Sequence, residues 1–381
     1  MILTHDLVVI GAGPAGSAAA LRGRQLGLSV ALIDKARFPR DKLCGGGITG
    51  RCRGHIDAVF APLPDTIWRQ ADAVHLHAAG VEIARLTDMP PIAYTMRKAL
   101  DAALLTQALA AGADDLTGQR IATLDIATRT LRTAAGRELA GRVILGADGV
   151  HSLVARCLYG RAHDPERIGF ALEAEVPLPE GEVMPMLDVT AADWGYAWAF
   201  PKHGSMTVSI GGRQSRNPNL KATFEAWLVA KGHDPAALRI RGHHLPFGDR
   251  RPPPGRGAVL LAGDAAGFVD PITGEGIAWA VKSGALAAES AAEALARGQA
   301  AAAMAAYSRH IRPVLTELSR ARRLARVVYH PRLQPRFVRA LARSERLQRR
   351  YFDLLAGRLD YADLGPASLA RMGWRLLTGK G

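Results

Sequence analysis

Cysteine is scarce in this 381-residue chain, which holds only Cys44, Cys52 and Cys157. Three cysteines cannot build a disulfide framework, and no two share a C-x-x-C spacing, which excludes a redox dithiol and a cysteine-based metal site. Long apolar runs are missing as well, for none approaches the roughly 18 residues that a spanning helix requires. The opening stretch MILTHDLVVIGAG has no basic leader and runs straight into a glycine-rich turn, so it reads as mature structure rather than a signal peptide. The expectation is a cytoplasmic protein whose membrane contact, if it has one, is peripheral and at the inner face. Acids are outnumbered, 35 against 49 Lys and Arg, for a net charge of +14. The excess is local: from Ala306 to Gly381, 17 Lys and Arg meet 5 Asp and Glu, a balance of +12 that leaves +2 for the remainder. Such a tail is a solvated helical face, a nucleic-acid surface or a patch that meets anionic lipid. No nucleic-acid module accompanies it, and no nucleic-acid partner is expected.

The length allows two or three domains or one large mixed one. The segment HDLVVIGAGPAGSAAALRGRQLGLSVALIDK predicts strand, tight turn, helix and strand, with the apolar run Leu7 to Ile10, an alanine-rich helix to about Leu26, and a strand from Ser29 to Asp34. Two later segments, GRVILGADGVHS and GAVLLAGDAAGFVDPITGEGIAWAVKSGALAAESAAEAL, also begin as short apolar strands that run into Gly/Asp turns. Three such units, spread along the chain, predict a nucleotide-binding domain assembled from separated pieces. Between them, Arg167 to Gly212 is a series of short strand-like runs, the pattern of an inserted antiparallel sheet. Beyond Ala300 the pattern is helical and basic, broken at Pro313, Pro331 and Pro335.

Gly11, Gly13 and Gly16 form a G-x-G-x-x-G fingerprint: tight turn, close approach to a pyrophosphate, and helix-on-strand packing. The phosphate then meets the helix N-terminus, where Pro14 sacrifices no hydrogen bond. Asp34, ending the second strand, is placed for the adenosine ribose. Asp264, after a buried strand, suits ribityl hydroxyls, and the turn Thr273 to Gly276 offers N–H groups at a helix start to an anionic flavin oxygen. A nicotinamide cofactor has no ribityl chain. In DWGYAWAFPK, alternation places Trp194, Tyr196, Trp198 and Phe200 on one face and Gly195, Ala197 and Ala199 on the other. That aromatic face fits an apolar substrate or a flavin ring, and it fits core packing as well. His203, His243 and His244 have no spacing that identifies a metal site or a triad and read as surface or core residues. No metal is expected.

GAGPAG, GADGVHSLVAR and LLAGDAAGFVDPITGEGI together resemble the FAD-dependent enzymes of the p-hydroxybenzoate hydroxylase fold, and within that group FPRDKLCGGGITGR and GYAWAFPK most resemble the geranylgeranyl reductase family. The resemblance covers the chain to about Ala300. It implies an α/β protein with a Rossmann-like FAD-binding domain built from residues 1–50, 91–160 and 255–300, an antiparallel-sheet substrate domain from 51–90 and 161–254, and a basic helical C-terminal region over 301–381. It assigns the cofactor to Gly11, Gly13, Pro14, Ala15, Gly16, Asp34, Lys35, Cys44, Gly45, Arg97, Asp148, Gly263, Asp264, Pro271, Gly274, Gly276 and Ile277. Arg97 would meet the pyrophosphate, unless Arg97 and Asp101 form an i, i+4 surface pair. Arg156 belongs to the stretch that related monooxygenases link to FAD and NAD(P)H. Cys44 and Gly45, with Tyr196 and Trp198, would form the catalytic site; the glycines admit backbone and substrate close to the ring, and Cys44 lines, gates or assists protonation.

The activity implied is reduction of carbon–carbon double bonds in an isoprenoid, geranylgeranyl-type chain by hydride transfer from reduced flavin. NAD(P)H would visit transiently, since a second dinucleotide fingerprint is missing from the sequence. The basic tail would bring the enzyme to a lipid or other apolar substrate at a membrane surface. Two alternatives share the FAD motifs: a monooxygenase acting on an aromatic or peptide substrate, and a flavoprotein that matures a partner protein. A flavin halogenase fits less well, because its W-x-W-x-I-P motif and early lysine are unmatched in GYAWAFP and its surroundings.

Overall fold

The computed structural model of the protein describes residues 2–181, 183–247 and 250–364; Arg371, Arg375 and Lys380 of the basic tail lie outside the described residues. The apolar run that opens the chain becomes the strand Leu3–Ile10, paired in parallel with Glu138–Gly146 on one side and Val30–Asp34 on the other. Asp114–Thr117 continues the sheet beyond Val30–Asp34, and Val259–Leu261 continues it beyond Glu138–Gly146. Leu7, Val8, Val9, Ile144 and Leu145 are buried on both faces of this sheet, as continuous apolar runs in a parallel sheet require. Pieces far apart in sequence are thus neighbours in one layer.

The helices, in chain order, are α1 (Pro14–Gln25), α2 (Gly50–Asp57), α3 (Arg97–Ala110), α4 (Leu153–Tyr159), α5 (Leu220–Ala230), α6 (Ile277–Ala296), α7 (Ala303–His310), α8 (Arg312–Val328), α9 (Gln334–Arg343) and α10 (Glu345–Leu355). α1 and α6 pack backbone to backbone, since a Cβ on Gly284 would come within 2.1 Å of the Ala15 carbonyl oxygen. Small residues at that contact are a steric requirement. α2 sends Cys52 and Ile56 into the same core, so the segment just past residue 50 belongs with the parallel layer rather than with the substrate sheet.

A second sheet has the strand order Arg241–Leu245, Gly169–Pro177, Ser205–Arg213, Tyr196–Pro201, Met186–Asp188, Val74–Ala78 and Val81–Leu86. It is antiparallel except where Met186–Asp188 runs parallel to Val74–Ala78. One face packs Ala197, Ala199, Val208 and Ile210 against Phe224 and Leu228 of α5. The other face looks toward the nucleotide layer. The C-terminal helices close over that side: Phe337, Leu341 and Phe352 form a core with Val74, Leu76 and Trp198, and Leu324, Ala325 and Tyr329 pack with Ile272. The basic region therefore roofs the space between the two sheets.

Gly284→Ala raises helix propensity by about 1 kcal/mol, yet the α1 contact leaves no room for the methyl group. The variant is expected to lose about 1–3 kcal/mol through overpacking, seen as a lower urea midpoint; a higher midpoint would contradict the close contact.

Candidate active site

One continuous cavity of about 620 Å³ runs from the fingerprint turn to the C-terminal helices. At its nucleotide end Gly11 has φ +104°, and a Cβ there would lie 2.3 Å from the Ala147 carbonyl oxygen. Gly13 faces open space, with an Arg40 Nη2 atom 3.5 Å from where its Cβ would be. Gly16 is not on the wall: its Cβ would strike the Gly11 carbonyl oxygen, so it serves helix-on-strand packing. Pro14, Ala15 and Lys35 line this end. Asp34 accepts from the Ala12 N–H through Oδ2 and from the Ala36 N–H through Oδ1, both at 2.8 Å. A carboxylate has about four acceptor positions, so two remain for ribose hydroxyls.

Arg97 makes the expected i, i+4 pair with Asp101, but the pair is buried rather than at the surface. Its Nε and Nη2 donate to Asp101 at 2.7 and 2.8 Å in a buried pair that holds its guanidinium raised against burial, and Arg40 Nη2 joins the same carboxylate at 3.1 Å. Arg97 still lines the cavity, but Arg40 is the guanidinium beside Gly13, and its Nη1 is buried without an acceptor. An orphaned cationic nitrogen, the gap at Gly13 and the N-terminus of α1 together suit a pyrophosphate. On this ground the residues fit the ADP half of FAD.

Two other expected cofactor residues also serve the protein's own structure. Asp148 borders the cavity, but its carboxylate accepts from Ser152 Oγ at 2.5 Å and from the Leu153 N–H at 2.6 Å, capping α4; burial pushes its pKa up against those bonds. Gly263 lies off the wall with φ +58°, its N–H donating to Ser283 Oγ. Asp264, Pro271, Gly274, Gly276 and Ile277 do line the cavity, at the head of α6. Two buried carboxylates that the sequence did not single out shape this turn. Asp270 Oδ1 accepts from the Ile272 and Thr273 N–H groups and from Tyr361 Oη, and Glu275 accepts from Thr49 Oγ1 and Arg51 Nη1. Burial pushes both carboxyls up, and Arg51 draws both back.

The Cys44-Gly-Gly-Gly stretch crosses the middle of the cavity and lies flat on the strand Tyr196–Pro201. A Cβ on Gly45 would come within 2.5 Å of Trp198 Nε1, and one on Gly46, which has φ +72°, within 2.0 Å of the Thr95 carbonyl oxygen. These two glycines answer first to the protein's own packing and not, as the sequence suggested, to the approach of cofactor or substrate. Cys44 Sγ accepts from the Gly46 N–H at 3.4 Å. Tyr196, Trp198 and Phe200 face the cavity while Ala197 and Ala199 enter the opposite core. Trp194 precedes the strand with φ +52° and stacks on Tyr329 with Arg213 over its ring. The Tyr196 hydroxyl donates to the Thr273 carbonyl at 2.7 Å and burial raises its pKa, so it is a strut between strand and turn rather than a free acid.

The histidines divide. His203 bonds the Trp68 carbonyl, a structural role. His243 lines the cavity, contrary to expectation, with its Nε2 2.5 Å from Lys42 Nζ; burial and the surrounding Lys42 and His151 push it down to about 3, so it accepts as a neutral ring. His244 packs on His151 and His163 at its flank. His75, His77 and Glu82 gather on one hairpin, but His75 Nδ1 already bonds Glu82, and Lys231 Nζ stands 3.3 Å from His77 Nδ1. A hydrogen-bonded pair beside a lysine is no cation site, and no metal is assigned to these residues.

Glu173, 2 % exposed under the Cys44 loop, is raised from 4.5 to about 7 by burial, partly offset by Lys202. Between those pH values the folded protein keeps a proton that the unfolded chain releases, so stability falls as pH rises across that window. Glu173→Gln should flatten this decline when urea midpoints are compared at pH 5 and 7.5; an unchanged slope would remove Glu173 as its source.

Comparison with known proteins places these features in a family. A model of FAD dependent oxidoreductases matches residues 6–137, and one of tryptophan halogenases matches residues 76–355. Menaquinone reductase of Mycobacterium tuberculosis is 30% identical over 321 residues, covering 74% of this chain and 76% of that protein. Digeranylgeranylglycerophospholipid reductase of Methanosarcina mazei is 29% identical over 317 residues, with 77% and 76% covered. Among solved structures, a geranylgeranyl bacteriochlorophyll reductase-like protein of Thermoplasma acidophilum shares the fold at a TM-score of 0.78 and 21% identity, over 90% of this chain and 93% of that one. The flavin-dependent brominase Bmp2 shares it at a TM-score of 0.70 and 20% identity, over 93% and 94%. By likeness along most of its length and by fold, the chain belongs to the geranylgeranyl reductase-like family of FAD-dependent oxidoreductases.

Proposed function

We propose that the protein reduces carbon–carbon double bonds of an isoprenoid or similarly apolar chain. The observation that carries this reading is the cavity beyond Cys44, an apolar lobe walled by Val74, Leu187, Val189, Trp198, Phe352 and Leu355 and continuous with the nucleotide end. A lobe of that lining excludes water and accepts an extended hydrocarbon better than a small polar substrate. The relatives named as reductases of menaquinone and of digeranylgeranylglycerophospholipid support the same substrate class. FAD, when bound, supplies the two electrons. Trp198 and Phe200 form the flat wall against which the Cys44 loop and the chain are aligned, Tyr196 fixes the Thr273–Gly276 turn opposite, and Tyr351 and Phe352 close the far end. Cys44 lines the junction of the two lobes. NAD(P)H is the proposed donor and would visit transiently, since the dinucleotide fingerprint in the sequence is assigned to FAD.

The substrate's route follows from the roof. α9 and α10 bury Phe337, Leu341 and Phe352 over the lobe and present Arg339, Arg343 and Arg346 outward. This arginine face is the proposed contact with anionic lipid, peripheral rather than spanning; no helix of the described residues is long and apolar enough to cross a membrane.

A second reading, oxygen-dependent modification of an aromatic or peptide substrate, is favoured by the tryptophan halogenase match over residues 76–355. A third, maturation of a partner protein, predicts no turnover of a small substrate in the absence of that partner. Anaerobically reduced protein should be reoxidised by a geranylgeranyl-bearing lipid with a saturated product by mass spectrometry. Reaction with oxygen to give a hydroxylated or halogenated product, and none with lipid, would move the protein to the second class. The protein should also co-sediment with phosphatidylglycerol vesicles at low salt, and Arg339→Glu/Arg343→Glu should weaken binding severalfold; equal binding to neutral vesicles would contradict the arginine face.

A further inference from the structure

The turn 270–276 at the head of α6 lines the cavity where the flavin is expected, and it is held from behind by chain that follows α10. Asp270 is fully buried. Its Oδ1 accepts from two amides of the turn, Ile272 at 2.8 Å and Thr273 at 3.0 Å, and the Gly274 N–H closes on the Asp270 carbonyl oxygen at 3.0 Å. The third donor to Oδ1 is Tyr361 Oη at 2.8 Å, 91 residues further along the chain. Asp270 Oδ2 is buried without a partner, so Tyr361 is the one side chain that bonds this carboxyl among the described residues. Tyr361 packs with Ile272, Leu324 and Leu354, and its N–H donates to Glu317 Oε2 of α8 at 2.9 Å. Arg51 makes a second connection. Its Nη1 donates to Glu275 Oε2 of the turn at 3.0 Å, and its Nη2 donates to the Leu359 carbonyl oxygen at 3.0 Å and to Asp360 Oδ1 at 3.1 Å. Gly357, with φ +72°, lies so close to α2 that a Cβ would come within 2.3 Å of Arg51 Cβ. Residues 357–361 form no helix or strand, yet they are tied at both ends to the flavin-side turn and its supports.

We infer that residues 357–361 are a strap and Tyr361 a positioning residue, which together hold the flavin-side turn in shape and so govern how firmly FAD is retained. The inference rests on the FAD reading of the cavity and is independent of which substrate is reduced. A local account of the turn does not suffice. An aspartate that accepts from the amide two residues on makes an ordinary Asx turn, which needs no distant partner when it faces water. Asp270 has been taken out of water, and a buried carboxyl is costly unless its acceptor positions are filled. Tyr361 fills one of them from outside the turn. Tyr196 braces the same turn from the substrate sheet through the Thr273 carbonyl. Tyr361 braces it from the C-terminal side and, through Glu317, joins it to the helices that roof the apolar lobe.

Amide hydrogen exchange of the FAD-loaded protein reads the turn without turnover, so its outcome is separate from that of the reductase reading. In Tyr361→Phe, which keeps the ring and removes only the donor, exchange of the 269–276 peptide should be about fivefold faster than native, the effect of one lost hydrogen bond. FAD, followed by its fluorescence, should be released severalfold faster. Exchange of the first strand, residues 3–10, should stay native, which a general loosening of the fold would not allow. Gly357→Ala, at a position off the cavity wall, should displace the strap from Arg51 and act in the same direction; if it does not fold, Tyr361→Phe decides alone. Exchange of the turn within twofold of native in Tyr361→Phe would overturn the inference. Faster exchange with unchanged FAD release would overturn the link to the cofactor. The exchange can be read with or without FAD, so a native protein that binds none contradicts the cofactor reading and is told apart from failure of the strap.

Discussion

The site depends on one contact, the laying of a loop without side chains on a strand crowded with aromatic ones. Gly45 and Gly46 can lie where they do only because they carry no Cβ, whose space Trp198 Nε1 and the Thr95 carbonyl occupy. The loop belongs to the nucleotide half of the molecule and the strand to the substrate sheet. Their contact therefore joins the two layers and turns two clefts into one cavity. Tyr196 repeats the connection on the far side by bonding the Thr273 carbonyl at the head of α6. A cofactor ring bound in this space meets a wall whose position the protein has fixed in advance, which is what orientation demands of a redox site.

Around that contact the molecule places its charges where they have work and its apolar groups where they exclude water. Arg40, Arg97 and Asp101 form a charged set beside the fingerprint, with Arg40 Nη1 left without an acceptor. Glu275 and Arg51 bind the flavin-side turn to α2 and to Leu359 near the end of the described chain. The far lobe carries no such groups and is closed by residues of α10. Polar cradle and apolar lobe are thus separated along one cavity, and the Cys44 loop marks the boundary.

Much of this was legible in the sequence, for a physical reason. The fingerprint glycines, Asp34 and the turn at 271–277 are local signals, because a backbone that must approach a phosphate or a ring restricts residue type wherever it does so. The alternation in DWGYAWAFPK likewise gave the aromatic face, apart from Trp194, which stands ahead of the strand. What could not be read are the pairs made by tertiary packing. Arg40 lies in the same FPRDK stretch as the motif, yet nothing local says that it and Arg97 share Asp101. Asp148 lies on the cavity wall, yet nothing local says that its carboxylate also caps α4. His243 and Lys42 meet only because a substrate-sheet edge strand passes over the loop. The C-terminal helices read as a basic appendage because their arginines dominate composition; the buried Phe337 and Leu341, four residues apart on α9, and Phe352 on α10 show that they are a roof.

The central claim is that cofactor and apolar substrate share one cavity across the Cys44 boundary. Its most direct measurement is the absorption spectrum of the bound oxidised flavin during titration with a saturated, unreactive isoprenoid lipid, alongside calorimetry of the same titration. The account predicts a saturable spectral shift whose midpoint equals the calorimetric one. Calorimetric binding with an unperturbed flavin spectrum would put the lipid elsewhere and contradict it.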